Sequence, residues 1–231
     1  MTADDRLAAL VAEHGLEPGA AGALGRLLRL VAQDDTAPTT VRDPARAVDA
    51  HVADALSGLV VEELRNAGVI ADLGAGAGFP GLVLAAALPR ARVVLVESLG
   101  RKCAFLEAAI AAMELPNAAV VCARAEDWAD GLGACDAVTA RAVAPLGVLA
   151  EYAAPLLRTG GVLVAYKGAR DAEEEAAAAR AGEVLGLDPP RILPVTPFAG
   201  ALHRHLYVYP KVRETPRRFP RRAGMARKRP L

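Results

Sequence analysis

The sequence predicts an α/β fold: a seven-stranded, mostly parallel sheet with helices on both faces, preceded by an N-terminal helical cap. Three features predict it. From residue 69 onward, apolar runs of four to six residues alternate with helical stretches. A glycine cluster, "ADLGAGAGFPG" at Ala71 to Gly81, follows the first of those runs, as a chain does where its backbone must bend sharply or approach something closely. The first 65 residues read as helical apart from a polar loop. Continuous apolar strands between amphipathic helices imply a parallel sheet covered on both faces.

The elements follow in order. "DDRLAALVAEHGL" and "AGALGRLLRLVAQDD" place apolar residues at helical spacing and are separated by a Glu-Pro-Gly break. "DDTAPTTVRDP" is a polar loop that ends on a helix start, with Asp43 at the cap and Pro44 in the first turn. "ARAVDAHVADALSGLVVEEL" continues as one or two helices. The strands are "VIADL", "RVVLVE", "AAVVCA", "DAVTAR" and "GVLVAY", with "PGLVLAAAL", "GRKCAFLEAAIAAM" and "PLGVLAEYAAPLL" as helices between them. The alanine-rich "EEEAAAARAGEVLG" favours helix because alanine loses no side-chain entropy there. "PRILPV" and "HRHLYVYP" then follow one another as an antiparallel pair that finishes the sheet, with His203 and His205 on one face of the last strand. Three units result: a cap over residues 1–65, a core over 66–210, and a tail over 211–231 that packs on or extends from the core.

Composition bounds the function. With 231 residues, 53% of them hydrophobic, the chain suits one α/β domain with an appendage and excludes wholesale disorder. The cysteines Cys103, Cys122 and Cys135 are odd in number and contain no CxxC, so neither a disulfide framework nor a zinc site is expected, and a reducing cytoplasm is inferred. The start "MTADDRLAALVAEHG" is too charged for a signal peptide, and no uncharged apolar run reaches the roughly 18 residues of a membrane span. The formal net charge of zero conceals an asymmetry: residues 211–231 hold nine basic groups against Glu214, a net of +8, and the remainder carries −8. An acidic body with a basic end points to a polyanionic partner. Phe219, Met225 and three prolines in the tail distinguish it from a merely solvating one.

The glycine loop admits two ligands. Gly76-Ala-Gly78-Phe-Pro-Gly81 matches G-x-G-x-x-G, with Glu97 placed 21 residues on, as in an NAD site. In the other frame, Asp72-Leu-Gly74-Ala-Gly76-Ala-Gly78 sets an acid before alternating glycines, the arrangement of S-adenosylmethionine (AdoMet) sites, with Glu97 ending the second strand to grip the ribose. The second frame is preferred. "VIADL" ends at Leu73, so the turn begins at Gly74, and the residues ahead of the sheet make a thin substrate domain for a dehydrogenase.

AdoMet alkylates a nucleophile in line. The [DN]-P-P-[YF] stretch of exocyclic-amine methylation is absent where "DAVTARAVAPL" stands, and no cysteine follows a proline as in attack by pyrimidine C5. Guanine N7 is already nucleophilic and needs no base; positioning and a tuned field suffice. Arg141 and Lys167 end apolar strands on the ligand-binding rim, where contact with phosphate or a guanine edge is the functional reading. Arg124 ends the third strand, and Glu126 follows where adenine is often met. His51 lies one helical turn from Asp54. Trp128 and Phe79 read as packing residues.

Several ordered motifs resemble one family. "DLGAGAGFPGLVLA", "VESLGRKCAFL", "ARAED", "VTARAVAPL", "GGVLVAYKG" and the terminal "TPRRFPRRAGMARKRPL", with "VRDPARAVDAHVADAL" upstream, look like the bacterial 16S ribosomal RNA guanine-N7 methyltransferases (RsmG, also called GidB). The resemblance spans about residues 38 to 231. It implies a Rossmann-like AdoMet-dependent methyltransferase fold and transfer of a methyl group to N7 of guanine 527 in 16S rRNA or a small ribosomal subunit precursor, leaving S-adenosylhomocysteine. It further implies cofactor contacts from Asp72, Gly74, Ala75, Gly76, Phe79, Glu97, Ala125 and Glu126. Arg141 falls at the donor–acceptor junction, as catalytic residue. His51, Asp54, Arg124, Lys167, Arg217, Arg218, Arg221 and Arg222 face RNA or shape the pocket. A cytoplasmic monomer with no metal and no membrane contact is expected. Four positions depart from the family pattern: Ala37-Pro38 for Asn-Leu, Ala55 for serine, and Val143 for phenylalanine. Removal of residues 211–231 is expected to impair rRNA methylation while sparing AdoMet binding.

Overall fold

The structure is a computed structural model and describes residues 2–231. Helices α1 (Ala3–Glu13), α2 (Gly19–Gln33) and α3 (Pro44–Ala47) lead into a π-helical turn, Val48–Ala53, and then α4 (Asp54–Leu56), a 3-10 turn at Ser57–Val60 and α5 (Glu62–Arg65). There follow β1 (Val69–Leu73), α6 (Gly81–Ala87), β2 (Arg92–Glu97), α7 (Gly100–Met113), β3 (Ala118–Cys122), β4 (Cys135–Arg141), α8 (Leu146–Ala153), β5 (Leu157–Lys167), α9 (Ala172–Leu185), β6 (Arg191–Val195), β7 (Arg204–Pro210) and α10 (Met225–Lys228). Asp43 caps α3 as expected, its carboxylate accepting from the Arg46 amide at 3.0 Å.

The seven strands form one sheet in the order β3-β2-β1-β4-β5-β7-β6. The first five pair in parallel; β7 runs antiparallel between β5 and β6. Alternation along the strands divides the interior into two apolar layers. Ile70, Val93, Leu95, Ala137, Val162 and Val164 face α2, α4, α6 and α7, so the N-terminal helices belong to one face of the sheet. Ala71, Val94, Val138, Leu163, Tyr207 and Tyr209 face α8, α9 and the C-terminal segment, including Phe219 and Ala226.

Register then aligns the ends that matter. Leu73 pairs with Val96 and with Ala140, which sets Gly74, Glu97 and Arg141 in one row just past the carboxyl edge of the sheet. Glu97 pairs with Cys122 and Arg141 with Tyr166, extending that row on both sides.

Two expectations are corrected here. Cys103 and Cys122 form a disulfide across 19 residues, where none was expected. The crossover from β2 through α7 to β3 returns the chain to its starting edge and leaves the two Cα atoms 5.8 Å apart, within bridging reach. Chain separation carries no trace of that closure. Cys122 is exposed, so reductant should reach the bridge. Opening it is expected to lower the unfolding free energy by about 2–4 kcal/mol, measured by denaturant titration with and without dithiothreitol. A Cys122→Ser chain should show no response to reductant. The second correction concerns His203, which stands ahead of β7 at φ +59° and so does not share a strand face with His205. Cys135 does open β4, fully buried, and burial pushes its thiol up to about 12.

Candidate active site

The turn after β1 departs from the strand at Gly74, whose amide and that of Ala75 both donate to the Val96 carbonyl, at 2.8 and 3.3 Å. Gly74 has φ +63°, and a Cβ there would lie 2.8 Å from Val143 Cγ2, so both its conformation and its space require glycine. Beneath the loop, Asp72 is fully buried. One carboxylate oxygen accepts from the Gly81 amide (2.9 Å) and the other from the Thr139 hydroxyl (3.0 Å). Asp72 therefore lies under the cofactor loop, fastening the start of α6 to β4, and makes no part of the cavity wall above it; its sequence assignment as a cofactor contact is corrected to that of a loop anchor.

Burial pushes the Asp72 carboxyl up to about 7. The native state keeps this proton in a range where the unfolded chain, with a carboxyl near 4, has released it. The stability contributed by this group therefore falls as pH rises from about 4 to about 7, by on the order of 1.4 kcal/mol per pH unit, and is constant outside that window. Asp72→Asn is expected to remove this slope from unfolding titrations run across the window; an unchanged slope would assign the proton to another group.

Glu97 ends β2 with 5% exposure. Its Oε1 accepts from the amides of Ser98 (2.8 Å) and Leu99 (3.0 Å), and its Oε2 from Gly76 (3.3 Å), which ties the acid to the glycine turn. These groups border a cavity of about 410 Å3 lined by Gly74, Glu97, Leu99, Arg124, Ala125, Glu126, Ala142, Tyr152 and Arg227. A site of that size suits a nucleoside-sized ligand. A larger hollow of about 800 Å3 opens at the opposite, amino ends of the strands, beside Gly68 and Asp136. Asp136 is occupied there by the Gly68 and Val69 amides and by Arg158, and ligands of parallel sheets bind at the carboxyl ends. The first cavity is the candidate site.

Beside it lies a second cavity of about 180 Å3, bordered by Asp54, Arg141, Lys167, Arg204 and His205 among others. Ala142 borders both cavities and holds φ +56°, a strained value for a residue with a Cβ. Arg141 donates to Asp54 Oδ2 (2.7 Å) and to the Ala50 carbonyl (3.3 Å), and its guanidinium lies 5.6 Å from the centre of the Phe79 ring. The π-helical turn explains this convergence: its wider winding brings His51 and Asp54 toward Arg141 together. His51 stacks on Phe79 at 4.4 Å between ring centres. Burial, then the Arg141 charge, holds the imidazole below its usual range, so it is neutral. Arg141 Nη2 can only donate to His51 Nδ1 (3.4 Å), which leaves the proton on Nε2 to donate to the Val41 carbonyl at 3.1 Å.

The remaining sequence-named residues divide plainly. Ala125, Glu126 and Arg124 border the 410 Å3 cavity, and Arg124 is also exposed. Ala75 and Phe79 are buried; Phe79 packs against His51 as the sequence suggested for a packing residue. Lys167 borders the smaller cavity and pairs with Glu174 at 2.7 Å. Arg217, Arg218 and Arg222 are exposed. Arg221 is not an RNA-facing residue: its Nε and Nη2 bind both oxygens of the buried Glu151, at 2.6 and 2.5 Å. The tail is accordingly packed, with Phe219 buried and Gly224 donating to Glu126. Because Arg227 of the tail borders the 410 Å3 cavity, removal of the tail is expected to weaken cofactor binding as well. Sequence reasoning also passed over Arg204, whose Nε lies 3.6 Å from Asp54 Oδ1. It begins an antiparallel strand, and the amino end of such a strand falls at the same edge as the carboxyl ends of its parallel neighbours. Among the described residues no His/Cys/Asp/Glu cluster could hold a metal, and no helix is long and apolar enough to cross a membrane.

A glycine turn, an acid closing the adjacent strand and this strand order define the class: a Rossmann-like, AdoMet-dependent methyltransferase. Solved structures of the fold include an AdoMet-dependent methyltransferase from Aquifex aeolicus (TM-score 0.54, 17% identity, 71% of this chain and 95% of that one) and Aeropyrum pernix fibrillarin with bound S-adenosyl-L-methionine (0.53, 20%, 68% and 72%). Residues 27–198 match the family model described as rRNA small subunit methyltransferase G. Proteins named ribosomal RNA small subunit methyltransferase G from Rubrobacter xylanophilus and Desulfitobacterium hafniense are 46% and 39% identical over 82% and 84% of this chain, covering 75% and 81% of their own lengths. The chain belongs to the rRNA small subunit methyltransferase G family, and its cofactor is AdoMet, not NAD.

Proposed function

We propose that this chain transfers the methyl group of AdoMet to N7 of guanine 527 in 16S rRNA, as a cytoplasmic monomer acting on the RNA or on a small-subunit precursor. The observation that carries the reading is the pairing of cavities about Arg141 and Ala142: a nucleoside-sized one bordered by the glycine turn and Glu97, and a smaller, cation-rich one bordered by Arg141, Lys167 and Arg204. Glu97, fixed by three backbone amides, holds the ribose diol, and Gly74 and Gly76 leave room for the amino-acid end. Ala125 and Glu126 stand at the adenine. Bound AdoMet supplies an electrophilic methyl group. The N7 lone pair loses no proton on accepting it, so the site needs no general base; a neutral His51 already engaged by Arg141 and Val41 agrees with that. Arg141 orients the acceptor at the junction, and Asp54 offsets the cationic ring of the product. Exposed Arg217, Arg218 and Arg222 bind RNA phosphate.

The test is incubation of the purified chain with labelled AdoMet and small subunits or 16S rRNA from a strain lacking this modification, followed by mapping of the label. N7-methylguanosine at the single proposed guanine is expected. Label on another atom or nucleotide would reject the substrate assignment, and RNA binding without any transfer would favour a non-catalytic assembly factor.

A further inference from the structure

Composition assigns the whole C-terminal arm to RNA, yet one part of it faces elsewhere. Phe219 is buried against the layer under α8, and Arg221 locks onto Glu151. Beyond this anchor the chain hydrogen-bonds two loops that border the 410 Å3 cavity. The Gly224 amide donates to Glu126 Oε1 at 2.8 Å, on the loop after β3. Three residues later Arg227 Nη2 donates to the Val143 carbonyl at 2.8 Å, on the loop after β4. These loops wall opposite sides of the cavity, and Arg227 borders it beside Tyr152. Val143 is also the side chain that a Cβ at Gly74 would strike, so the arm holds a residue that sits beside the glycine turn.

We propose that the arm is a wall of the cofactor cavity and that Arg227 is a positioning residue for the adenosyl end of AdoMet, not an RNA contact. This rests on the assignment of that cavity to AdoMet. The surroundings select the ligand chemistry. Glu97 and Glu126 border the same space and can accept hydrogen bonds from the hydroxyls and amino group of an adenosine, which a phosphate cannot donate. A guanidinium with one nitrogen fixed to a carbonyl keeps its planar face and its other N–H groups for a flat aromatic ring. Glu126, tethered to the same arm, closes the adenine side.

The experiment uses the full chain and two probes: S-adenosylhomocysteine and 5′-methylthioadenosine, which lacks the amino-acid end. Calorimetric titration of Arg227→Ala is expected to show both dissociation constants raised about five- to tenfold, the value of one lost polar contact. The melting temperature and the KM for rRNA should not change, since Arg227 is exposed. Arg227→Lys keeps the charge and loses the plane, and should remain weakened for both probes. The proposal is overturned if the KM for rRNA rises while both nucleosides bind normally, if only S-adenosylhomocysteine weakens, or if lysine restores affinity. Should the unsubstituted chain bind neither nucleoside, the failure lies with the cavity's assignment and not with Arg227.

Discussion

Arg221→Ala is expected to lower the unfolding free energy by about 3–5 kcal/mol, the cost of leaving a buried charge without its partner. Glu151 sits on α8 with a side-chain exposure of 3%, and Arg221 supplies both of its charge-assisted hydrogen bonds through a planar fork. Arg221 also donates to the Arg229 carbonyl, so one side chain closes the arm on itself and onto the core. For a chain of this length the melting temperature should fall by roughly 8–15 °C. Loss of the anchor should also release Gly224 and Arg227 and weaken AdoMet binding. The comparison that isolates the effect is the triple substitution of Arg217, Arg218 and Arg222 by alanine. Those side chains are exposed, so stability should change by less than about 0.5 kcal/mol per site. The affinity for rRNA and the steepness of its salt dependence should fall instead. Equal melting temperatures for Arg221→Ala and the triple variant would contradict this division of the tail.

Arg141→Ala is expected to reduce the rate of methyl transfer by about 10²–10³-fold, the scale on which enzymes lose rate when a preorganised polar group at the reacting centre is deleted. Arg141 joins Asp54, the Ala50 carbonyl, His51 and the Phe79 face, and among the described residues no other links the π-helical turn to the end of β4 in this way. Arg141→Lys should recover little, because an ammonium cannot satisfy Asp54 and His51 at once across a planar fork. Single-turnover transfer from labelled AdoMet reads the loss; S-adenosylhomocysteine binding should weaken far less. A rate reduced no more than the folded fraction would show that Arg141 only supports the fold.

The strands were legible because each is a short apolar run with its own punctuation. "VIADL" stops where Gly74 turns left-handed, and Glu97 and Arg141 end their strands in the same row. The antiparallel finish was legible from two apolar runs with no helix between them. β5 begins earlier than "GVLVAY" shows, because Gly160 and Gly161 exchange backbone hydrogen bonds with Lys211, a partner 50 residues away. In the site, the glycine turn, Glu97 and Glu126 were readable from their places after the strands, and Ala125 only through the family resemblance. The contact of Arg141 with Asp54 was not: it joins positions 87 apart through a π-helical turn that periodicity does not mark. Asp72 was misread for a related reason. An acid beside glycines looks like a ligand contact, and only burial shows both its oxygens committed to Gly81 and Thr139. The tail misled through charge, since nine basic residues count alike in a sequence although Arg221 and Lys211 are turned into the fold.

The central claim is that the turn at Gly74–Gly76 and the carboxylate of Glu97 together hold the nucleoside cofactor. A crystal grown with S-adenosylhomocysteine tests it most directly. The account predicts the ribose hydroxyls within hydrogen-bonding distance of Glu97, the adenine beside Ala125 and Glu126, and the sulfur toward Ala142. A nucleoside bound at the opposite edge of the sheet, or a Glu97 carboxylate turned from the ribose, would contradict it.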